Sequence, residues 1–121
     1  APGDHGTTYG GNPFVCAAVS KVFDLYEKEQ IVDHVKQVGG YLEQKLNALV
    51  EKYDFLKERR GKGLIQGLEV EGRPIGEIVN RGLEEGLIII TAGSNVLRFV
   101  PPLVVTEADV DEMIVKLEKC F

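Results

Sequence analysis

Apolar residues recur every three or four positions in four stretches of the chain, which is the spacing of one face of an α-helix. The first two stretches predict helices over residues 13–28 and 31–53. The other two predict a short helix over residues 75–83 and a final helix over residues 107–121. The four stretches together predict four helices.

Residues with capping roles mark several ends of these helices. Asn12 suits the N-cap of the first helix, and Thr106 with Asp109 resembles a capping box before the last. Gly86 is a plausible residue to end the third helix. The pair Gly39-Gly40 lies inside the second helix, where a glycine costs about 1 kcal/mol relative to alanine. We expect either the close approach of another backbone or a kink there.

Three apolar runs predict β-strands over residues 64–70, 87–91 and 96–100. The last two runs are separated by the turn sequence AGSN, and Pro101-Pro102 ends the third. Together with the helices they give the order loop-α-α-β-α-β-β-α. This order predicts an α+β fold in which helices cover one face of a small, mainly antiparallel sheet.

Composition and charge narrow the possible classes of function. The 121 residues are 44% hydrophobic and carry a net charge of -5, which argues against binding to nucleic acid or anionic membranes. No apolar run approaches the roughly 20 residues of a membrane span. Cys16 and Cys120 match no metal-binding spacing, so we expect free thiols in a reducing, cytoplasmic compartment rather than a disulfide.

The glycine-rich stretch GDHGTTYGGNP, residues 3–13, comes immediately before the first helix. Its backbone N–H groups and threonine hydroxyls are suited to a phosphate, although the spacing matches neither the P-loop nor the dinucleotide fingerprint. Two interpretations stay open from the residues alone, a flexible turn with an N-cap or an anion-binding loop. His5 is interpreted as structural rather than as an acid–base group or metal ligand, because no second ligand lies at a suitable spacing.

Arg98 lies in NVLRFVPPL, inside an otherwise apolar strand. Alternation along the strand places it on the same face as Val96 and Val100. A lone charge among apolar residues is costly unless it is paired. Two interpretations stay open, an ion pair with a carboxylate of the same protein or a guanidinium fork for a substrate carboxylate.

The remaining polar residues give weaker signals. Glu58, Arg59, Arg60 and Lys62 are interpreted as a solvated edge, and His34 as a solvated residue of the second helix. No nucleophile–base pair can be assembled from the sequence, and no lysine lies in a distinctive apolar setting. The chain by itself therefore does not have the residues of a complete enzyme.

Three segments form a specific pattern: GDHGTTYGGNPFVCAAV, RGKGLIQGLEV and VLRFVPPLVVTEADVDEMI. In the same order they resemble the glycine-rich and C-terminal segments of the class III, ornithine-type, pyridoxal-phosphate-dependent aminotransferases. The similarity extends over essentially the whole chain. It implies an interface and cofactor-phosphate loop over residues 1–13, followed by the small C-terminal domain of the fold type I architecture over residues 14–121.

The resemblance also implies roles for three residues. Thr8 matches the residue that binds the phosphate of pyridoxal 5'-phosphate in the neighbouring subunit's active site, so a homodimeric parent enzyme is expected. Thr7 matches a residue beside the bound substrate. Arg98 matches the arginine that binds a substrate carboxylate. The implied substrates are an amino acid and a 2-oxo acid.

The family's cofactor-attaching lysine, its aspartate at the pyridine nitrogen and its ring-stacking aromatic find no match in this chain. Because those groups supply the chemistry, we expect a C-terminal segment of a longer enzyme that is inactive alone. Two alternatives stay open. One is a different substrate within the family, and the other is a free-standing α+β interaction module without a cofactor.

Overall fold

The computed structural model describes residue 1 and residues 3–121. The helices and strands of the described residues are, in chain order, α1 (Pro13–Lys28), α2 (Ile31–Lys52), β1 (Leu56–Lys62), β2 (Ile65–Val70), α3 (Ile75–Glu84), β3 (Ile90–Ala92), β4 (Val96–Phe99) and α4 (Glu107–Lys119). The chain divides into two compact units, Ala1–Val32 and Asp33–Phe121. The expected division after residue 13 stays a prediction. None of the described helices is long and apolar enough to cross a membrane.

The first unit consists of the opening segment, α1 and the start of α2. The predicted loop over residues 1–13 includes residue 2, which lies outside the described residues; residue 1 and residues 3–12 have no helix or strand, and residue 13 begins α1. The N-cap is confirmed, because the Asn12 side chain accepts a hydrogen bond of 3.0 Å from the Val15 N–H. No residue of α1 is buried, and Phe14 and Phe23 are among its exposed apolar side chains.

The second unit is built on a four-stranded antiparallel sheet in the order β1-β2-β4-β3. One face of the sheet is buried, and its side chains form a core with those of α2, α3 and α4. The core includes Leu42, Leu46, Leu68, Val70, Ile78, Leu97, Phe99, Val110 and Leu117. The predicted α+β fold is therefore confirmed.

The strand β1 was not predicted, because its segment LKERRGK shows no apolar alternation and lies at the sheet edge. The predicted solvated edge is wrong for Arg59, whose side chain is only 15% exposed. Its guanidinium donates to Glu43 at 2.6 Å and to the amide oxygen of buried Gln66 at 2.9 Å. The hairpin of β1 and β2 is thus joined to α2 by a partly buried polar network.

The structure tests two predictions about α2, the close approach at Gly39-Gly40 and the solvation of His34. A Cβ atom on Gly39 would lie 2.9–3.0 Å from backbone atoms of Gly63, so the predicted close approach is confirmed, whereas Gly40 faces open space. The prediction that His34 is solvated is wrong. Its Nε2 lies 2.9 Å from the Val105 carbonyl oxygen in a half-buried site, where it joins α2 to the segment before α4.

The remaining local predictions agree with the structure, apart from the extent of one strand. The capping box of Thr106 and Asp109 is present with both of its hydrogen bonds, and Gly86 follows α3 with a φ of +72°. Residues 87–89 belong to no strand, so β3 is shorter than the predicted strand over residues 87–91. Both cysteines are free, Cys16 exposed and Cys120 buried.

Candidate functional site

The outward face of the sheet carries an exposed charged side chain of the second unit that is a candidate for binding. Leu97 and Phe99 of β4 point into the core, and Arg98 between them points outward and is exposed. Across the sheet Arg98 lies opposite Gly67 of β2 on one side and Ile90 of β3 on the other. The strand therefore fixes the backbone of Arg98, and the charged end of its side chain faces outward.

The guanidinium of Arg98 has no ion pair or hydrogen bond with any residue that the structure describes. The interpretation of Arg98 as an internal ion pair thus gains no support within residue 1 and residues 3–121. Gly67 lies directly opposite Arg98 and is buried, and a Cβ there would lie 2.9 Å from Val96 Cγ1, so the Val96 side chain covers the glycine. This geometry suits a bidentate contact with an external carboxylate.

The opening loop presents two exposed hydroxyl groups in the first unit. Thr7 and Thr8 are exposed, and neither side chain donates to or accepts from another described residue. The loop turns back on itself, since a Cβ on Gly10 would overlap the Thr7 side chain and Gly11 has a φ of +74°. The Asn12 amide donates to the Tyr9 carbonyl oxygen at 2.6 Å, which joins this turn to the start of α1.

The chemistry of this loop fits a phosphate group. The first turn of α1 contains no acidic residue, so no carboxylate there opposes an anion. Free hydroxyls and a helix N-terminus are donors that phosphate prefers. His5 is exposed and makes no hydrogen bond to a described residue, so its predicted structural role gains no support. No group of three or more metal-ligating side chains occurs in the described part of the chain.

A groove beside the core of the second unit lacks reactive groups. It encloses about 330 Å³ between α2, α4 and the residues after β4. Its lining is mostly apolar, and its carboxylate, that of Asp109, is already engaged in the capping box. The groove offers packing surface rather than chemistry, which leaves Arg98 and the threonine loop as the candidate site residues. Thr7 and Thr8 belong to the first unit and Arg98 to the second.

Sequence reasoning missed the surroundings of Arg98. Gly67 and Glu69 lie on the outward face of β2, as does Ile65. Alternation around buried Leu68 could have predicted this face. The register that sets Gly67 opposite Arg98 depends on strand pairing, which the sequence alone does not specify.

The comparisons with known proteins identify the family of the chain. The family model described as aminotransferase class-III matches residues 1–121. The chain belongs to the class-III aminotransferase family.

Several class-III aminotransferases resemble it closely. The acetylornithine aminotransferase of Gloeobacter violaceus is 44% identical over 121 residues, covering 99% of this chain and 30% of the relative. That of Caldanaerobacter subterraneus is 47% identical over 111 residues, covering 92% and 28%. The succinylornithine transaminase of Photorhabdus laumondii is 41% identical over 123 residues, covering 99% and 31%. The chain thus spans about 30% of the length of the curated relatives it matches.

Solved structures of this family share the fold. Acetylornithine aminotransferase from Elizabethkingia anophelis has a TM-score of 0.86 at 30% identity, covering 99% of this chain and 31% of that one. Ornithine aminotransferase from Toxoplasma gondii has a TM-score of 0.83 at 29% identity, covering 99% and 29%, with partial occupancy of PLP at its active site. The α+β unit described above is therefore part of the class-III aminotransferase architecture.

Proposed function

We propose that this chain is the C-terminal part of an acetylornithine aminotransferase. The parent enzyme transfers the amino group of N-acetylornithine to 2-oxoglutarate with pyridoxal 5'-phosphate, a step of arginine biosynthesis. The observation that carries this proposal is the exposed guanidinium of Arg98 on a fixed strand, in a chain 44% identical over its full length to an acetylornithine aminotransferase. We infer a cytoplasmic homodimer as the parent.

Arg98 binds and orients the substrate. Its guanidinium offers parallel N–H donors to a carboxylate, and both 2-oxoglutarate and N-acetylornithine carry one. The buried neighbours Leu97 and Phe99 fix the strand, so the substrate enters a site whose main anchor needs little rearrangement. An anchored carboxylate holds the reacting end of the substrate in a productive orientation.

Thr8 holds the phosphate of the cofactor, and Thr7 lies beside the substrate. When bound, pyridoxal phosphate supplies the electron sink for the amino-group exchange. The Thr8 hydroxyl donates to a phosphate oxygen, and we place this contact in the partner subunit's active site. Each subunit of the homodimer then depends on its partner's loop to retain the cofactor.

Other amino donors of the same family are the second candidate. The 41% identity to a succinylornithine transaminase and the fold shared with ornithine aminotransferase favour this alternative, and 4-aminobutyrate is a further donor to test. Values of kcat/KM for N-acetylornithine, succinylornithine, ornithine and 4-aminobutyrate, measured on the full-length parent, decide among them. A preference for any donor other than N-acetylornithine contradicts the acetylornithine assignment. The chain alone is expected to give no transamination with added pyridoxal phosphate.

Replacing Arg98 tests the carboxylate role. In the full-length parent, Arg98→Lys keeps the charge but loses the bidentate fork, and we expect the KM for 2-oxoglutarate to rise about tenfold, equivalent to a charge-assisted hydrogen bond of about 1.4 kcal/mol. Arg81→Lys in α3 is the matched control, because its guanidinium makes one long contact of 3.4 Å to the Cys120 carbonyl oxygen. An unchanged KM for Arg98→Lys rules out this role.

Replacing Thr8 tests the cofactor role. Thr8→Ala removes the hydroxyl, and we expect the cofactor dissociation constant to rise about five- to tenfold, as for a lost hydrogen bond to a charged group. Thr8→Ser keeps the hydroxyl and is expected to retain the cofactor. Release of pyridoxal phosphate during dialysis, followed by absorbance, measures the difference. Equal retention by Thr8→Ala and the unmodified dimer argues against phosphate binding by Thr8.

A further inference from the structure

The outward face of the sheet contains a carboxylate close to Arg98. Glu69 is the acidic residue of β2, and it lies two residues from Gly67, the residue opposite Arg98. Glu69 is thus a diagonal cross-strand neighbour of Arg98. Such neighbours are about 7–8 Å apart at the backbone, which long charged side chains can bridge. The side chain of Val96, directly opposite Glu69 and two residues before Arg98, lies against Gly67 on the same face.

Glu69 is nevertheless held by other partners. Its Oε2 accepts from Arg60 Nη2 at 2.5 Å, and its Oε1 accepts from the side-chain amide of Asn95 at 3.1 Å. Arg60 belongs to β1 and lies on the far side of Gly67 from Arg98. We call Arg60, Glu69 and Asn95 the Glu69 clamp. Both carboxylate oxygens are engaged in it, so the clamp directs Glu69 away from Arg98.

We propose that the Glu69 clamp keeps Arg98 available for the substrate carboxylate. This inference rests on the proposed function, because it assumes that Arg98 binds that carboxylate. Without the clamp, Glu69 is free to pair with Arg98 and competes with the substrate for the same donors. Arg60 and Asn95 are then positioning residues that act through Glu69, and neither touches the substrate.

The clamp could also serve stability alone, and the test must distinguish that role from the prevention of a Glu69–Arg98 pair. Arg60 and Asn95 also join the edge strand β1 and the turn before β4 to β2, so their loss lowers stability under either explanation. A structural role alone predicts a lower melting temperature without a selective change in substrate binding. Competition predicts a higher KM that disappears when Glu69 loses its charge.

The experiment uses the full-length parent and three clamp variants. Arg60→Gln is expected to raise the KM for 2-oxoglutarate about three- to fivefold with kcat nearly unchanged, the competition expected of an exposed ion pair. Asn95→Ala changes no charge and is expected to raise it about twofold. Arg60→Gln combined with Glu69→Gln is expected to restore the original KM. The dissociation constant for glutarate, an unreactive dicarboxylate, follows the same order.

Two controls make the outcomes distinguishable. Lys57→Gln removes a cation from the other end of β1, where Lys57 pairs with Glu71 at 3.1 Å, and it is expected to leave the KM unchanged. Arg98→Gln tests the proposed function itself. If Arg98→Gln raises the KM and Arg60→Gln does not, or if removing Glu69 fails to restore it, the clamp proposal is overturned alone. If Arg98→Gln has no effect, both proposals are overturned.

Discussion

The two faces of the sheet use the same strand for opposite purposes. On the inner face Leu97 is 0% exposed and Phe99 is 4% exposed, both within the core. On the outer face Arg98 is exposed between Gly67 and Ile90, and Ile65 is 63% exposed. Neighbouring residues of β4 therefore alternate between a buried side chain in the core and an exposed side chain on the outer face.

This difference shows how the fold supports the proposed chemistry. On the inner face Leu97 and Phe99 pack into the core, so this face fixes the backbone of β4. The outer face leaves a charged group without a partner among the described residues, which is costly for a core but useful for a binding site. Stability and binding are therefore separated by strand alternation, and substitutions on the two faces should affect different measurements.

The largest effect is expected from breaking the inner face. Leu97→Ala removes a fully buried side chain, and we expect the free energy of unfolding of the chain to fall by about 2–5 kcal/mol because a cavity remains. Ile65→Ala on the outer face is expected to change it by less than about 0.5 kcal/mol. Urea unfolding followed by circular dichroism measures both. Equal losses at the two positions would show that the faces do not differ in this way.

The two adjacent glycines of α2 give the same contrast between a packed and an open position in the helix layer. Gly39→Ala places a Cβ within 3.0 Å of the Gly63 backbone, so we expect a loss of about 1–3 kcal/mol from overpacking. Gly40→Ala meets nothing within 4 Å and is expected to gain about 0.5–1 kcal/mol from helix propensity. The same urea experiment checks the signs. A stabilising Gly39→Ala contradicts the close approach of α2 to the hairpin.

Much of this fold was predictable because the buried face of a helix gives a regular spacing of apolar residues within a short stretch of sequence. Apolar periodicity and capping residues such as Asn12 and Thr106 located all four described helices. The edge strand β1 was missed because an exposed edge needs no apolar alternation, and its partners are defined only by the register with β2. His34 was misassigned although it lies three residues after Ile31 and four before Val38, on the apolar side of α2.

Arg98 could be identified from the sequence, but its neighbours in the sheet could not. Alternation correctly predicted that Arg98 shares a face with Val96, since both flank the buried Leu97, but it did not predict that this face is the outward one. The sequence did not predict the neighbours of Arg98 on this face, because Gly67 and Glu69 come close to it only through the pairing of β2 with β4. Local pattern thus identifies the group, and tertiary register determines what competes with it.

The rim between α2 and α4 belongs to neither face of the sheet, and it offers a smaller, pH-dependent effect. Lys45 pairs with Asp111 at 2.7 Å, and Lys52 pairs with Glu118 at 2.6 Å. The Lys45 ammonium, helped by the Tyr41 hydroxyl, holds the pKa of Asp111 below its usual value. Lys52 lowers the pKa of Glu118 in the same way. Lys45, Asp111 and Lys52 are exposed and Glu118 is half-buried, so each pair contributes little.

A carboxylate whose pKa is lower in the folded state stabilises the fold above its unfolded pKa, and this contribution is lost as the pH falls through the folded pKa. We therefore expect the stability of the chain to decline below about pH 4, the range of unperturbed carboxyl groups. Asp111→Asn combined with Glu118→Gln should make that decline shallower. Glu51→Gln, on α2 and without an ion pair to any described residue, is the matched control. Urea midpoints measured from pH 7 to pH 3 give the comparison, and identical slopes for the double variant and the control would exclude a role for the rim pairs.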